Sequence, residues 1–314
     1  MTRRPGAPIR SGIDGRGSLL VLGAAALWST SGMLIRWTVA GSAFSSLSLA
    51  FWRDLATFLC LFASLALFRR SWLRVARRDL PWLAALGVIG VGTFHVLWNL
   101  TILHIGYAAA TVLLYSSPAL VALMARLLWR EPLTRFKVLA LALALGGCVL
   151  VAGPEELAGI DLTAGGLILG LGAACAYAGF SLFGRQVAPR YPPWTVLTYG
   201  FGFGALALLP FQFGTPFPWP VPAETWIWFA ALVLAATLAP FGAYVASLRT
   251  LPVSIASIVA ASEIVFGAVI GSLFFAEQLQ GGQFLGAGLV IAGVALIVTR
   301  EESTGQASTL VEDG

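Results

Sequence analysis

Apolar residues run along this chain in long blocks, separated by short breaks that carry Gly, Pro or charge. A helix crosses the hydrocarbon layer with about 20 consecutive apolar residues. Ten blocks meet that length: 18–39, 44–68, 80–104, 107–129, 134–152, 163–187, 194–213, 224–248, 251–275 and 281–299. Among the breaks, Arg69 to Asp79 is charged, Gly153 to Asp161 is acidic, and Tyr191-Pro192-Pro193 is a proline stop. The third and fourth blocks are parted by barely two residues.

Composition agrees with a bilayer as solvent. Of 314 residues, 58% are hydrophobic and 11% charged, against about 25% charged in a soluble domain. The fold class expected is an all-α integral membrane protein. The net charge of +5 does not call for nucleic acid, because the basic residues sit at block edges. Cys60, Cys148 and Cys175 lie inside apolar runs. They read as small core residues and not as a disulfide framework or metal site. The first block has no clear small-residue cleavage site and is followed by further spans, so it reads as a span and not as a cleavable signal. Near-exclusive use of Arg over Lys, with much Ala, Gly and Leu, hints at a bacterial source and hence the inner membrane.

The positive charges alternate. Arg3, Arg4, Arg10 and Arg16 precede the first span, and Arg69, Arg70, Arg74, Arg77 and Arg78 follow the second. Arg130, Arg135 and Lys137 surround the break after the fourth, Arg190 follows the sixth, Arg249 the eighth and Arg300 the tenth. The odd breaks hold no Lys or Arg and carry Glu155, Glu156, Asp161, Glu224 and Glu277. Basic loops stay in the cytoplasm, so both termini are expected there.

The chain also repeats itself. Residues 107–151 and 253–297 align at an offset of 146, pairing Ala110 with Ala256, Glu131 with Glu277, Leu133 with Leu279 and Gly147 with Gly293. At an offset of 149, Gly23, Ala24, Ala25, Trp28 and Arg36 meet Gly172, Ala173, Ala174, Tyr177 and Arg185. Five spans separate the copies, so the second enters the membrane from the opposite side. The organisation expected is a tail at 1–17, a five-helix repeat at 18–152, an inverted five-helix repeat at 163–299, and a tail at 300–314.

Several segments resemble the drug/metabolite transporter superfamily, specifically its EamA-type members. They are AALWSTSGMLIR at 25–36, FWRD at 51–54, SSP at 116–118 leading to WREPL at 129–133, and SEIVFG at 262–267 leading to FAEQL at 275–279. The resemblance covers roughly residues 17–299. It implies a ten-helix bundle of two inverted repeats around a central cavity, and export or uptake of small metabolites such as amino acids. One departure is Glu263-Ile264, where second copies in that family often have Glu-Pro; the first copy keeps Pro118.

Ionisable residues inside spans cost about 2.5–3.5 kcal/mol each on insertion scales, which makes them candidates for function. Glu263, midway along the ninth span, suits a substrate amine or a coupled proton, against the plainer role of an interhelical hydrogen bond. Ser257, Ala260 and Ile264 form a small, partly polar stripe near it. Arg53 lies inside the second span and suits a substrate carboxylate or a charge partner on another helix; its neighbour Asp54 points about 100° away, which disfavours pairing between them. Arg36 reads as snorkelling. His95 and Asn99 share a face of the third span, while His104 faces elsewhere. Trp28, Tyr177, Trp98 and Tyr115 are mid-span aromatics that either wall a cavity or pack. Trp72, Trp82, Trp129, Trp226 and Trp228 read as interfacial belt. GxxxG pairs at 166/170, 200/204, 267/271 and 282/286 allow close helix approach.

The leading functional reading is a secondary transporter of a small polar metabolite, with amino-acid export as its most concrete form. No Walker motif is present, so ATP is not the expected driver. Nothing in the sequence calls for a cofactor or metal. The partners expected are a small-molecule substrate and the lipid bilayer, with room for protons as coupling ions and for a homodimer. An intramembrane enzyme lacks HExxH, GxSxG or paired carboxylates, and a scaffold or sensor lacks a soluble signalling domain.

Overall fold

A computed structural model of the chain describes residues 15–40, 42, 44–153, 163–213, 221–275 and 278–312, with side chains up to residue 300. Glu155, Glu156, Asp161, Glu277 and both extreme termini lie outside the described residues. Every regular element described is helical.

Among the described residues, nine helices are long and apolar enough to cross a membrane, and Ser117–Trp129 is a shorter apolar one. Nine becomes ten at Gly106. That residue (φ 76°, ψ 168°) interrupts the 35-residue helix Leu80–Leu114. A positive φ is cheap only without a Cβ, so glycine makes the very short third-to-fourth connection feasible. The fourth span is then built from 107–114 and Ser117–Trp129. The other ends follow local sequence. Ser45, Thr134 and Thr163 cap the second, fifth and sixth spans by accepting from the backbone N–H of Ser48, Lys137 and Gly166. Pro192, Pro222 and Pro252 precede the seventh, eighth and ninth. The last helix continues past the expected span, to Glu312.

Both repeats are interrupted at matched places. A π-helical turn at Val88–Thr93 in the third span has its counterpart at Leu234–Leu238 in the eighth, 146 positions on. The fourth span breaks at 115–116 and the ninth at 261–262. Pro118, near the start of the following helix, accounts for the first break. The ninth has Ile264 there and breaks all the same. The cause common to both is serine: Ser116 Oγ donates to the Leu113 carbonyl (2.6 Å) and Ser262 Oγ to the Val259 carbonyl (2.8 Å). Each hydroxyl offers a carbonyl a partner outside the helical ladder. The first span is also interrupted, at Thr30, whereas its repeat-mate Ala164–Val187 is continuous.

Helix partnerships are unchanged when the repeats are exchanged. The second span packs on the seventh, the fourth on the ninth and the fifth on the tenth, while the third-on-sixth pair mirrors the eighth-on-first. The fifth and tenth spans meet backbone to backbone. A Cβ on Gly147 would lie 2.5 Å from the Gly286 carbonyl, and one on Gly293 would lie 2.8 Å from that of Ala140. Moving up one helix moves down the other, so the two run antiparallel, and an offset of 146 carries one contact onto the other. This is the inverted relationship, written in packing. Leu67, Phe68, Leu103, Ile168 and Leu273 are exposed and supply the apolar surface a bilayer requires.

Candidate functional site

Three polar groups meet where the second span faces the third. Asp54 is wholly buried, and the side chains of Arg53 and His95 are 14% and 11% exposed. Arg53 Nε lies 3.5 Å from Asp54 Oδ1, and His95 Nδ1 3.2 Å from Asp54 Oδ2. Arg53 and Asp54 therefore do pair, contrary to the expectation from their helical angle: the long guanidinium arm folds back over the shorter carboxylate. The Arg53 guanidinium also reaches His95 Nε2 at 2.5 Å. An arginine only donates, so Nε2 is the acceptor, and the imidazole is neutral with its proton on Nδ1, towards Asp54. The ion pairing is close but poorly aligned. Arg53 Nε, both Asp54 oxygens and His95 Nδ1 are buried without a well-formed hydrogen bond.

A second group gathers at the broken fourth and ninth spans. Glu263 stands in the first turn of its helix segment, where the helix dipole favours a carboxylate. Glu263, Tyr115 and Tyr177 are each half-buried. Glu263 interacts electrostatically with Tyr115, Tyr177 and Cys148. Phe94 bridges the two groups, its ring 5.3 Å from that of His95 and 5.1 Å from that of Tyr177.

The face carrying the even breaks is tied by polar contacts between repeats. Ser254 Oγ donates to Glu131 Oε2 at 2.6 Å and accepts from Lys137 Nζ at 3.1 Å, while Glu131 Oε1 accepts from the Val253 N–H at 3.3 Å. Lys137 is 2% exposed. Within the second repeat, Arg185 donates to the Leu248 carbonyl at 3.1 Å. Buried Asp79 accepts from Arg190 and from the Tyr191 hydroxyl, which itself accepts from the Ala76 N–H; burial, then Asp79, hold the Tyr191 phenol above its usual pKa. Val253–Ala260 packs against Ser117–Trp129 on this face. The repeat-related contact, 107–114 against Glu263–Phe275, has no comparable packing.

The remaining candidates divide. Trp28 is 6% exposed and packs edge-on against Phe241 and tilted against Tyr244, which makes it core. Trp98 stacks on Phe94 and meets Tyr107 edge-on. The Asn99 amide donates to the His95 backbone carbonyl, not to its ring. Ser257 is buried and donates to the Ser254 carbonyl, and the break at 261–262 separates it from Ile264, so the expected stripe is not continuous. The Arg36 guanidinium lies 4.5 Å over the Phe275 ring. Cys148 is in the core, but Cys60 and Cys175 are exposed, which corrects the expectation that all three are core residues. Sequence reasoning did not put Asp54, Lys137 or Ser254 among the site candidates. Asp54 carried a signal, a charge inside a span. Lys137 carried another, as the single lysine of the chain.

The EamA-like transporter family model matches the chain twice, at residues 15–153 and 164–299. An uncharacterized transporter of Archaeoglobus fulgidus is 31% identical over 123 residues, 39% of this chain and 43% of that protein. The match thus spans less than half of that relative. YwfM of Bacillus subtilis, also an uncharacterized transporter, is 25% identical over 298 residues, 93% of this chain and 97% of its own. A protein of known crystal structure superposes with a TM-score of 0.76 at 22% identity, over 92% of this chain and 98% of that one, and so shares the fold.

Proposed function

Because this chain belongs to the EamA-like transporter family, we propose that it is a secondary carrier of a small zwitterionic metabolite of the amino-acid class, working in the export direction across a bacterial inner membrane. The observation that carries this reading is the half-buried carboxylate of Glu263 at the break of the ninth span, within electrostatic reach of Tyr115 and Tyr177. A carboxylate there suits a substrate ammonium, the phenol rings suit its apolar part or its cation, and Arg53, across Phe94, suits its carboxylate. Half-helix ends meeting near the midplane between inverted repeats are where such carriers hold their cargo.

The asymmetry of the fourth and ninth spans supports alternating access as the mode of transport. One of their two related contacts is made and the other is not; exchanging them would open one face and close the other. The repeats at 18–152 and 163–299 are the moving units in this reading, with both termini cytoplasmic and the even-break face inward.

The test is flux in proteoliposomes loaded with an amino-acid panel, with and without a pH gradient. Saturable exchange of at least one zwitterion, competed by its neighbours in the panel, is the expected result. No saturable flux across amino acids of every side-chain class would overturn the proposal.

A further inference from the structure

We infer that Arg53, Asp54 and His95 form a carboxylate site that takes up one proton with each anion it binds. The inference rests on the carrier reading above and adds to it a coupling ion and the residues that hold it.

The argument is one of charge. In the structure Asp54 is buried as the partner of Arg53, and His95 is neutral because its Nε2 accepts from the guanidinium. The group sums to zero: one cation, one anion, one neutral ring. A substrate carboxylate added alone would leave an uncompensated negative charge inside the bilayer, which is costly. Arg53 is the only member of the trio that combines permanent charge with access, whereas Asp54 is sealed. When the guanidinium turns its N–H groups to an incoming carboxylate, it leaves the lone pair on His95 Nε2 without a donor. That lone pair then accepts a proton from water. The imidazolium so formed places Nδ1–H towards Asp54 and Nε2–H towards the carboxylate that Arg53 holds. Two cations now face two anions, and the sum is again zero. Release of the anion returns the Arg53 N–H to Nε2 and the proton to water.

The surroundings leave this balance to the trio. Among the described residues, Asp54 and Arg53 are the charged groups acting on His95. The sixth span, packed on the same helix, contributes the Tyr177 phenol by way of Phe94, and the fifth span contributes no charged group there, its Lys137 being engaged with Ser254. The repeat-related position to His95, 146 residues on, is Phe241, which meets Phe201 edge-on at 5.3 Å. The second repeat thus has an apolar contact where the first has a titratable one.

Acetate is a sufficient probe, since it carries the carboxylate and nothing else. The chain has two histidines, so histidine-selective ¹⁵N labelling of protein in nanodiscs, purified without a polyhistidine tag, gives two rings to follow. Acetate at constant ionic strength, against chloride, is expected to raise the proton affinity of His95 about tenfold or more, leaving exposed His104 unmoved. Acetate affinity should rise about tenfold per pH unit lowered between the free and bound midpoints of His95, the slope of one linked proton. Arg53→Gln should abolish the response. Asp54→Asn, which leaves an excess positive charge, should bind acetate with an affinity independent of pH. No acetate effect on wild-type His95 beyond that of chloride, or an equal effect in Arg53→Gln, overturns the inference. The wild-type measurement decides even if a variant does not fold. Amino-acid flux without acetate-linked protonation would remove this inference alone; linked protonation without flux would remove the carrier reading and leave the site.

Discussion

Ser254 is a single hydroxyl that joins the repeats between a carboxylate and an ammonium, and Ser254→Ala should loosen the even-break face. The hydroxyl gives one hydrogen bond to Glu131 (2.6 Å) and receives one from Lys137 (3.1 Å). A hydrogen bond to a charged group contributes about 1.5–3 kcal/mol net, so the pair contributes about 3 kcal/mol at the low end. Direct Lys137–Glu131 pairing recovers part of this, leaving about 1.5 kcal/mol, or roughly tenfold, in the equilibrium between closed and open faces. Spin labels at Arg130→Cys and Arg249→Cys, both exposed sites on this face, read its width by double electron–electron resonance in a background without Cys60, Cys148 and Cys175. Wild type should give one short distance. Ser254→Ala should add a longer population, which Ser254→Thr, keeping the hydroxyl, should largely suppress. The repeat-related position on the other face is Ala108, with Gln283 in place of Lys137, so Gln283→Ala should not lengthen the even-face distance. An unchanged distribution in Ser254→Ala would refute the latch.

Gly147→Ala places a Cβ against the Gly286 carbonyl and Val290 and should cost about 1–3 kcal/mol of stability, measured by denaturation in mixed micelles. Gly146→Ala, with nothing within 4 Å, should be neutral or slightly stabilising. Asp79→Asn keeps the shape but removes the charge that Arg190 and Tyr191 share; a buried pair broken from one side costs about 3–5 kcal/mol, discounted to about 2 kcal/mol because Arg190 is 42% exposed, and thermal unfolding should fall accordingly. Glu263→Gln should lower flux of zwitterions by tenfold or more while leaving its pH dependence in place. Loss of that dependence would move the coupling from His95 to Glu263.

Much of the architecture could be read from one dimension. The span edges at Ser46–Phe68, Arg135–Ala152 and Ala164–Val187 fall within two residues of expectation, because the bilayer admits few lengths and the caps are local. The inverted repeat was legible because its 146-residue offset pairs Gly147 with Gly293, and the structure carries the contact of Gly147 on Gly286 onto that of Gly293 on Ala140. The break in the ninth span was less so. The missing proline left open whether that helix would kink, and the serine at the break looks in sequence like any other.

Hydropathy, charge alternation and the repeat determined by themselves that this chain is a ten-span, twofold-related membrane bundle, because the bilayer constrains length, polarity and sidedness along the chain. They also marked Arg53, His95 and Glu263 as residues too costly to be there without cause. Only the tertiary structure decided what those residues meet. Helical spacing says which side chains share a face, not how far an arginine folds back or which helix lies opposite. So the pairing of Arg53 with Asp54, the neutral His95 between them and the bridge of Ser254 from Glu131 to Lys137 all emerge from contacts between residues distant in sequence or bent out of their helical directions. Coulomb energy depends on those distances in space, and the order of residues does not contain them.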